Sequence, residues 1–528
     1  MKWFVPDTAL MGNTLVFETW AVALLASPPT SVDGIFTLGL NSIGDGGGAF
    51  YSKSGALVAD GNSFTTANGL FFNYQIAPVT RKTPHANFNS LVNMFGSPAE
   101  TPNGYSLPIG IEKAWETLNR PLMSGVTIYV APWGNDANDG LAWYKAVKTP
   151  NQALRNIKCG DIYFAPGSYD YPTDARNTDT GFINVGSGGL YPKKLIAENG
   201  SVVFKFPGDD ISAGAYVADA TYTRCYGMNI VTTNNISNVI QKSKLDKYGN
   251  AIPLRKYSSL VTLNANGNGW YFDSVARKFY LNMGTGNPAT YLSDLEAVYT
   301  NPGTGSRTLI YGVELYSEGI TYWGYPYLLN NGAAVPSYYG LNNKYLYSDN
   351  YGLLGGAFNY CVTENCLFSY SAGDGSNYNR SGSIIGSVLE YNNNYYYSGN
   401  TIAYGADLAT NPIGNAFNIQ SSSNHSAYIM RVNGKYEFNA GQCIADTVTS
   451  YSWVLGPYAG QVLAPDASGL SYAIQFQNNN AWIEGAYGYK GLSNALVYND
   501  GGGTTYYNNI AGPVVSSGSN VYPYNPVI

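Results

Sequence analysis

The chain has 528 residues, with 61 Gly and 48 Tyr, and only 12% of it is charged, about half the usual quarter. A hydrophobic content of 45% excludes intrinsic disorder, the scarcity of charge excludes a coiled coil, and a net charge of −6 argues against a nucleic-acid partner. No run of about 18 uninterrupted apolar residues is present, so no membrane insertion is expected.

Small polar residues suit tight turns and Tyr suits strands, so the composition predicts an all-β protein of many short strands. Residues 1–80 read as a head-like β domain, with a short helix around Phe17–Leu25, a strand over Val32–Leu38 and a glycine turn at Gly44–Gly48. Residues 81–125 carry apolar residues at near-helical spacing, at Phe88–Phe95 and Ile109–Leu118, and read as a helical neck. A strand follows at Val126–Val130, then the loop Pro132–Gly140. Thr149-Pro150 next presents an N-cap and a first-turn proline for a short helix. The segment Gly160–Tyr169 returns to strand character.

Between Val126 and about residue 455 the pattern repeats. Ser317–Tyr322 aligns with Thr363–Phe368, and Ile384–Leu389 is placed in the same frame. Strand side chains alternate faces. This frame turns Cys366, Phe368, Ser387 and Leu389 inward, stacked coil on coil, and turns Val388 and Glu390 outward. Residues of about 205–300 break the repeat and read as an inserted β subdomain, with a hairpin at Gly269–Asp273 and Arg277–Leu281. Lys242, Lys244, Lys247, Arg255 and Lys256 in it read as a solvated face. Residues 456–528 read as the end of the repeat and its distal cap.

The five cysteines are odd in number and have no CxxC spacing, which argues against a complete disulfide framework and a zinc site, and Cys361 and Cys366 read as small core residues. The N-terminus lacks the basic-then-apolar order of a secretory signal. Synthesis in a cytoplasm is therefore expected, with a working place outside cells as in a virion.

The strand at Val126, the Gly134-Asn135-Asp136-Ala137-Asn138-Asp139-Gly140 loop, the Thr149-Pro150 helix and Gly160-Asp161-Ile162-Tyr163-Phe164-Ala165-Pro166-Gly167-Ser168-Tyr169 resemble the opening of pectate-lyase-like right-handed parallel β-helix proteins. With Gly44–Tyr51, they resemble the tailspikes and capsular depolymerases of phages that infect encapsulated Gram-negative bacteria such as Acinetobacter. The resemblance implies a right-handed parallel β-helix and a homotrimer carried on the phage tail through the N-terminal region. It also implies a bacterial capsular or exopolysaccharide as partner, and no cofactor.

Glycoside hydrolysis needs two carboxyl groups. With acids scarce, Asp374 and Glu390 are the expected pair across neighbouring coils, with Glu364 and Glu314 in reserve; Glu318 and Glu364 occupy equivalent places that favour a corner role. Tyr391, Tyr395, Tyr397, Trp323 and Tyr325 are candidates for sugar stacking. His425 and Arg431, with Lys435, are candidates for a lyase base and cation. No metal site is expected, since the chain has two His. The expected function is endo-glycosidic hydrolysis of a surface polysaccharide. A polysaccharide lyase and a non-catalytic carbohydrate-binding spike are the alternatives.

Overall fold

The computed structural model describes residues 14–524 except 18–19, 33, 38–48, 56–63, 76–78, 102–103, 120–124, 157, 171–191, 206–207, 213, 231–234, 285, 291–293, 301–307, 311–313, 325–326, 330–336, 349–350, 356–357, 380–385, 400–420, 426, 448–449, 461, 463–471, 489–494 and 519. The chain divides into two units. One contains residues 1–82 and 98–106, and the other contains 83–97 and 107–527.

The smaller unit holds a five-stranded sheet and the short helix α1 (Trp20–Leu24) around Ala23, Val32, Ile35, Tyr51, Phe64 and Phe72. Its strands include Gly34–Thr37 and Ala49–Ser54, while the glycine turn at Gly44–Gly48 falls outside the described residues. A three-stranded sheet over Val79–Thr80, Ala99–Thr101 and Gly104–Ser106 belongs to the same unit.

The larger unit is built from three long parallel sheets of twelve, nine and nine strands. The chain visits them in rotation. Tyr360–Glu364 lies in the first, Leu367–Ser369 in the second and Ser376–Asn379 in the third. Ser387–Tyr391 then returns to the first, paired with Tyr360–Glu364. Repeated, this makes a parallel β solenoid from Val126 to Pro523.

Two kinds of corner hold the rotation. Between the first and second sheets, Asn342, Asn365, Asn392 and Asn433 take φ of 53–55°, a left-handed geometry that Asn tolerates. The next residue turns inside, where Asn343 and Asn393 accept the Ile320 and Cys366 backbone N–H groups at 2.9 Å. Between the second and third sheets, Tyr347, Tyr370, Tyr397 and Phe438 sit at φ of 56–60°. That conformation is uncommon for bulky residues, and here their rings stack at 5.4, 5.4 and 5.2 Å.

The interior is a column of rings. Tyr322, Tyr345, Phe368, Tyr395 and Tyr436 stack at 5.3, 4.5, 4.5 and 5.0 Å. Phe368 is fully buried and points inward, as does Cys366. Their expected partners are corrected. Phe368 pairs with Tyr395, and Cys361 and Thr363 pair with Val388 and Glu390. Ser387 and Leu389 therefore face outward, and Val388 and Glu390 face inward. All five cysteines are buried and free.

The segment read as a neck is shared between the two units. Helices α2 (Asn89–Phe95) and α3 (Ile111–Asn119) lie on the outer face of the first sheet. Trp115 packs on Tyr316 and Tyr339 at 5.6 and 5.4 Å, and Phe88 on Trp453 at 5.6 Å. Leu389, facing out, is fully buried on this covered face. Helix α4 (Pro150–Leu154) begins as its sequence requires, the Thr149 hydroxyl accepting the Gln152 N–H at 3.2 Å. None of the described helices is long and apolar enough to cross a membrane.

Residues from Gly208 to Thr300, with helix α5 (Leu260–Asn266), form two sheets, antiparallel but for the pairing of Arg255–Lys256 with Gly269-Trp270, around a core that includes Ile236, Val239, Trp270 and Phe279. Gly269–Asp273 and Lys278–Asn282 pair as a hairpin. The hairpin of Asn235–Leu245 and Ala251–Pro253 lays its tip along the aromatic corner. Tyr347 donates to the Ala251 carbonyl at 2.5 Å, Tyr370 to Asp246 at 2.9 Å, and Lys247 reaches Glu437 at 2.6 Å. Lys247, read from sequence as part of a solvated face, is exposed and makes this contact at the surface.

Candidate functional site

The structure scatters the acids that the sequence singled out. Glu390 is fully buried inside the solenoid, because the alternation of its strand runs opposite to the expected register. Its oxygens accept from the hydroxyls of Ser376, Tyr378, Tyr395 and Ser422 and from Arg431 Nε at 3.1 Å. Arg431 also forks onto Asp446 at 2.7 and 2.8 Å. Burial opposes the guanidinium charge, yet Asp446 and Glu390 hold its pKa above the ordinary value. Tyr395 is an interior ring and Arg431 an interior cation, so neither faces a glycan at the surface.

Asp374 accepts from Asn377 at 2.6 Å and from Ser423 at 2.8 Å. Ser422, the neighbour of Ser423, turns the other way to Glu390. The strand Ser422–His425 therefore stands between the two expected partners. His425 shares that outer face and meets Thr447 at 2.6 Å, with burial lowering its pKa against the opposing charge of Asp446. Lys435 lies on the outer face of the second sheet, paired with Glu437 at 3.6 Å. His425, Arg431 and Lys435 are thus on three different surfaces. Trp323 and Tyr397 pack in the aromatic corner under the insertion, and Tyr325 falls outside the described residues.

A different set comes together on the outer face of the first sheet. Strand register places Tyr129, Tyr163, Ile196, Glu318, Leu341, Glu364 and Tyr391 in one column, one residue per coil. All seven are half-buried, a continuous strip that runs beside the Asn corners at Leu341, Glu364 and Tyr391. At a rung spacing of about 4.8 Å the strip is about 29 Å long, and Glu318 and Glu364 stand about 9.6 Å apart at the backbone. The strip ends after Tyr391, because the next column members, Val432, Leu455 and Glu484, are buried. The neighbouring column, from Tyr316 to Trp453, lies buried on the face that carries helices α2 and α3.

The electrostatics differ along the strip. Burial raises the Glu364 pKa, against the Ile111 N–H that it accepts at 2.8 Å. That N–H opens α3, so Glu364 also anchors the helix. Glu318 accepts from the Tyr316 hydroxyl at 2.8 Å. Burial first, then the charges of Glu318, Glu112 and Glu364, keep the Tyr316 phenol protonated. Lys194 lies 4.8 Å from the Tyr316 ring and 3.8 Å from Glu112. Glu314 lies just before the strand Leu315–Glu318, at the end opposite Glu318, its pKa also raised by burial.

Among the described residues no group of three or more His, Cys, Asp or Glu is placed to hold a metal ion. The strip contains two sequence candidates, Glu364 and Tyr391. Glu318 reads in the sequence as the equivalent of Glu364, with a corner role. Tyr129 and Tyr163 carried a signal that went unread. Tyr129-Val130-Ala131-Pro132 and Tyr163-Phe164-Ala165-Pro166 are the same phrase in successive coils.

No protein-family profile and no curated protein matches the sequence. The chain is similar to several solved structures. One described as a glycoside hydrolase has 12% identity and a TM-score of 0.46, covering 76% of this chain and 95% of its own. The complex of XylC with xylose has 12% identity and a TM-score of 0.45, covering 74% and 70%. A tailspike protein from Acinetobacter baumannii bacteriophage Fri1, a capsular polysaccharide depolymerase, has 11% identity and a TM-score of 0.20, covering 97% and 76%.

Proposed function

We propose that the protein is an endo-acting glycoside hydrolase that cleaves an extended bacterial surface polysaccharide along the strip from Tyr129 to Tyr391. The observation that carries this reading is the pair Glu318 and Glu364, two rungs apart in a linear, half-buried, aromatic-ended column. Their backbone separation of about 9.6 Å suits the wider of the two carboxylate spacings, the one that leaves room for water and inverts the anomeric centre.

Glu364 is the acid, because burial favours its neutral form. It gives its proton to the glycosidic oxygen as the bond to the anomeric carbon breaks. Water adds to that carbon from the opposite face, and its proton passes to Glu318. Tyr316 holds the Glu318 carboxylate by one hydrogen bond. Asp374 and Glu390 are left outside this chemistry. The resemblance seen in the sequence extends the reading to a homotrimeric phage tailspike, attached to the tail through its N-terminal region and acting at the host surface.

The test is incubation with purified capsular polysaccharides of Gram-negative bacteria, followed by sizing of the products. Hydrolysis releases saturated ends. A rise in ultraviolet absorbance from unsaturated sugars assigns a lyase instead, and binding without shortening assigns a non-catalytic spike. Glu318→Gln and Glu364→Gln should each abolish shortening in a folded protein, and full activity in both removes this pair.

A further inference from the structure

Three aromatic side chains stand at the open end of the strip. Tyr129 lies 5.9 Å from Tyr163 and 4.6 Å from Trp143, ring to ring, and all three are half-buried. Tyr144 and Trp133 beside them in sequence are 84% and 68% exposed. The cluster begins two rungs, about 9.6 Å, beyond Glu318. From Leu341, midway between Glu318 and Glu364, it is three rungs to Tyr163 and four to Tyr129, about 14 and 19 Å. In the other direction the strip runs only two rungs, about 10 Å, to Tyr391 before it is buried.

We propose that Tyr129, Tyr163 and Trp143 form a remote subsite for neutral sugar units, which holds the polysaccharide on one side of the cleavage point and sets the length of the released fragment. The proposal rests on Glu318 and Glu364 being the cleaving pair. Aromatic rings offer large apolar contact area with a polar handle, and the Tyr129 and Tyr163 phenols add hydroxyl groups to it. The class of sugar follows from charge. Tyr163 lies in the field of Asp161, Glu198 and Glu318, of which Lys194 on the next rung offsets Asp161, and Lys145, the cation nearest in sequence to Trp143, is bonded to Asp139 at 3.2 Å. A uronate or other acidic unit would be repelled there, whereas a neutral hexose or N-acetylated amino sugar is not. The asymmetry then gives the register. The long arm of the strip grips the chain, and the short arm, closed after Tyr391, admits a short fragment.

The experiment uses the full chain, an array of purified neutral and acidic capsular polysaccharides, and the double variant Tyr129→Leu/Tyr163→Leu, which keeps apolar bulk. Thermal unfolding checks that the variant folds. If it does not, Trp143→Leu alone is read in the same way. On a neutral polymer that the wild type shortens, the variant should show a KM raised roughly tenfold and a main product displaced by at least one sugar unit, tenfold corresponding to about 1.4 kcal/mol. Unchanged KM and product size overturn the subsite while leaving the cleaving pair intact. A wild type that shortens only polymers acidic at every repeat position overturns the neutral-sugar assignment. A wild type that binds a polymer without cutting it sinks the cleaving pair, and the subsite is then decided by whether the variant loses that binding. No binding and no shortening across the array overturns both.

Discussion

Replacing Arg431 with Met removes the cation that Glu390 and Asp446 share inside the solenoid. The three side chains are 1%, 0% and 0% exposed, so neither carboxylate can turn to water. Breaking a buried charge pair in this way costs about 3–5 kcal/mol, most of it the desolvation of the stranded anions. Glu390→Gln is milder, because it keeps the shape and leaves Arg431 forked onto Asp446. It loses charge-assisted bonds from four hydroxyls and Arg431 Nε, and about 1–3 kcal/mol is expected. The triple variant Glu390→Gln/Arg431→Met/Asp446→Asn removes every charge together and should recover part of the Arg431→Met loss. The assay is the urea-unfolding midpoint at one fixed protein concentration, with far-ultraviolet circular dichroism as the probe. An Arg431→Met protein within about 1 kcal/mol of the wild type would refute the reasoning, since it would mean that the anions had found protons or water. Loss of depolymerisation in folded Glu390→Gln would refute the placement of catalysis at Glu318 and Glu364.

Activity should fall as pH rises through the elevated pKa of Glu364, because only the protonated acid can protonate a leaving oxygen; a pH–rate profile without an alkaline limb would contradict this. Phe368→Ala should destabilise by about 3–5 kcal/mol in the same urea assay, since the ring is stacked at 4.5 Å on both sides. The five cysteines should be silent to a thiol reagent in the native protein and all react after denaturation, the Cys159 thiol being pushed up to about 12 by burial; rapid native labelling would contradict their placement.

The solenoid was legible because its corners and rings recur. Ser317, Gly340 and Thr363 follow one another at 23 residues, and the frame read from Ser317 and Thr363 turns Phe368 the right way. The frame failed at the next coil, where Thr363 pairs with Glu390, 27 residues on, and Glu390 with Arg431, 41 residues on. Connections of changing length hide the period. Chemistry misled in the same place. A Glu in Ser-Val-Leu-Glu-Tyr reads as outward because acids are almost never buried unpaired, and the Arg that pairs with it is invisible at that distance in sequence. The equivalence of Glu318 and Glu364 was legible and Tyr391 was noticed, but their membership of one column with Tyr163 and Tyr129 needed the register of six strand pairs.

The inserted subdomain bears on how the chain folds. Val202 pairs with Ile320, 118 residues on, whereas Glu318 and Leu341 meet across 23. Closing the longer loop costs only about 1.4 kcal/mol more by chain statistics, but it is a seam that the N-terminal coils must cross to join the rest. The insertion itself shortens the journey. Its first and last strands pair Gly208 with Val298 and bring the two ends of the excursion together. An insertion that folds early therefore turns the seam into an ordinary step of the winding. A mutation that slows its folding, such as one in the Trp270–Phe279 core, should leave two partly wound pieces waiting for each other, each with an open strand edge exposed to aggregation.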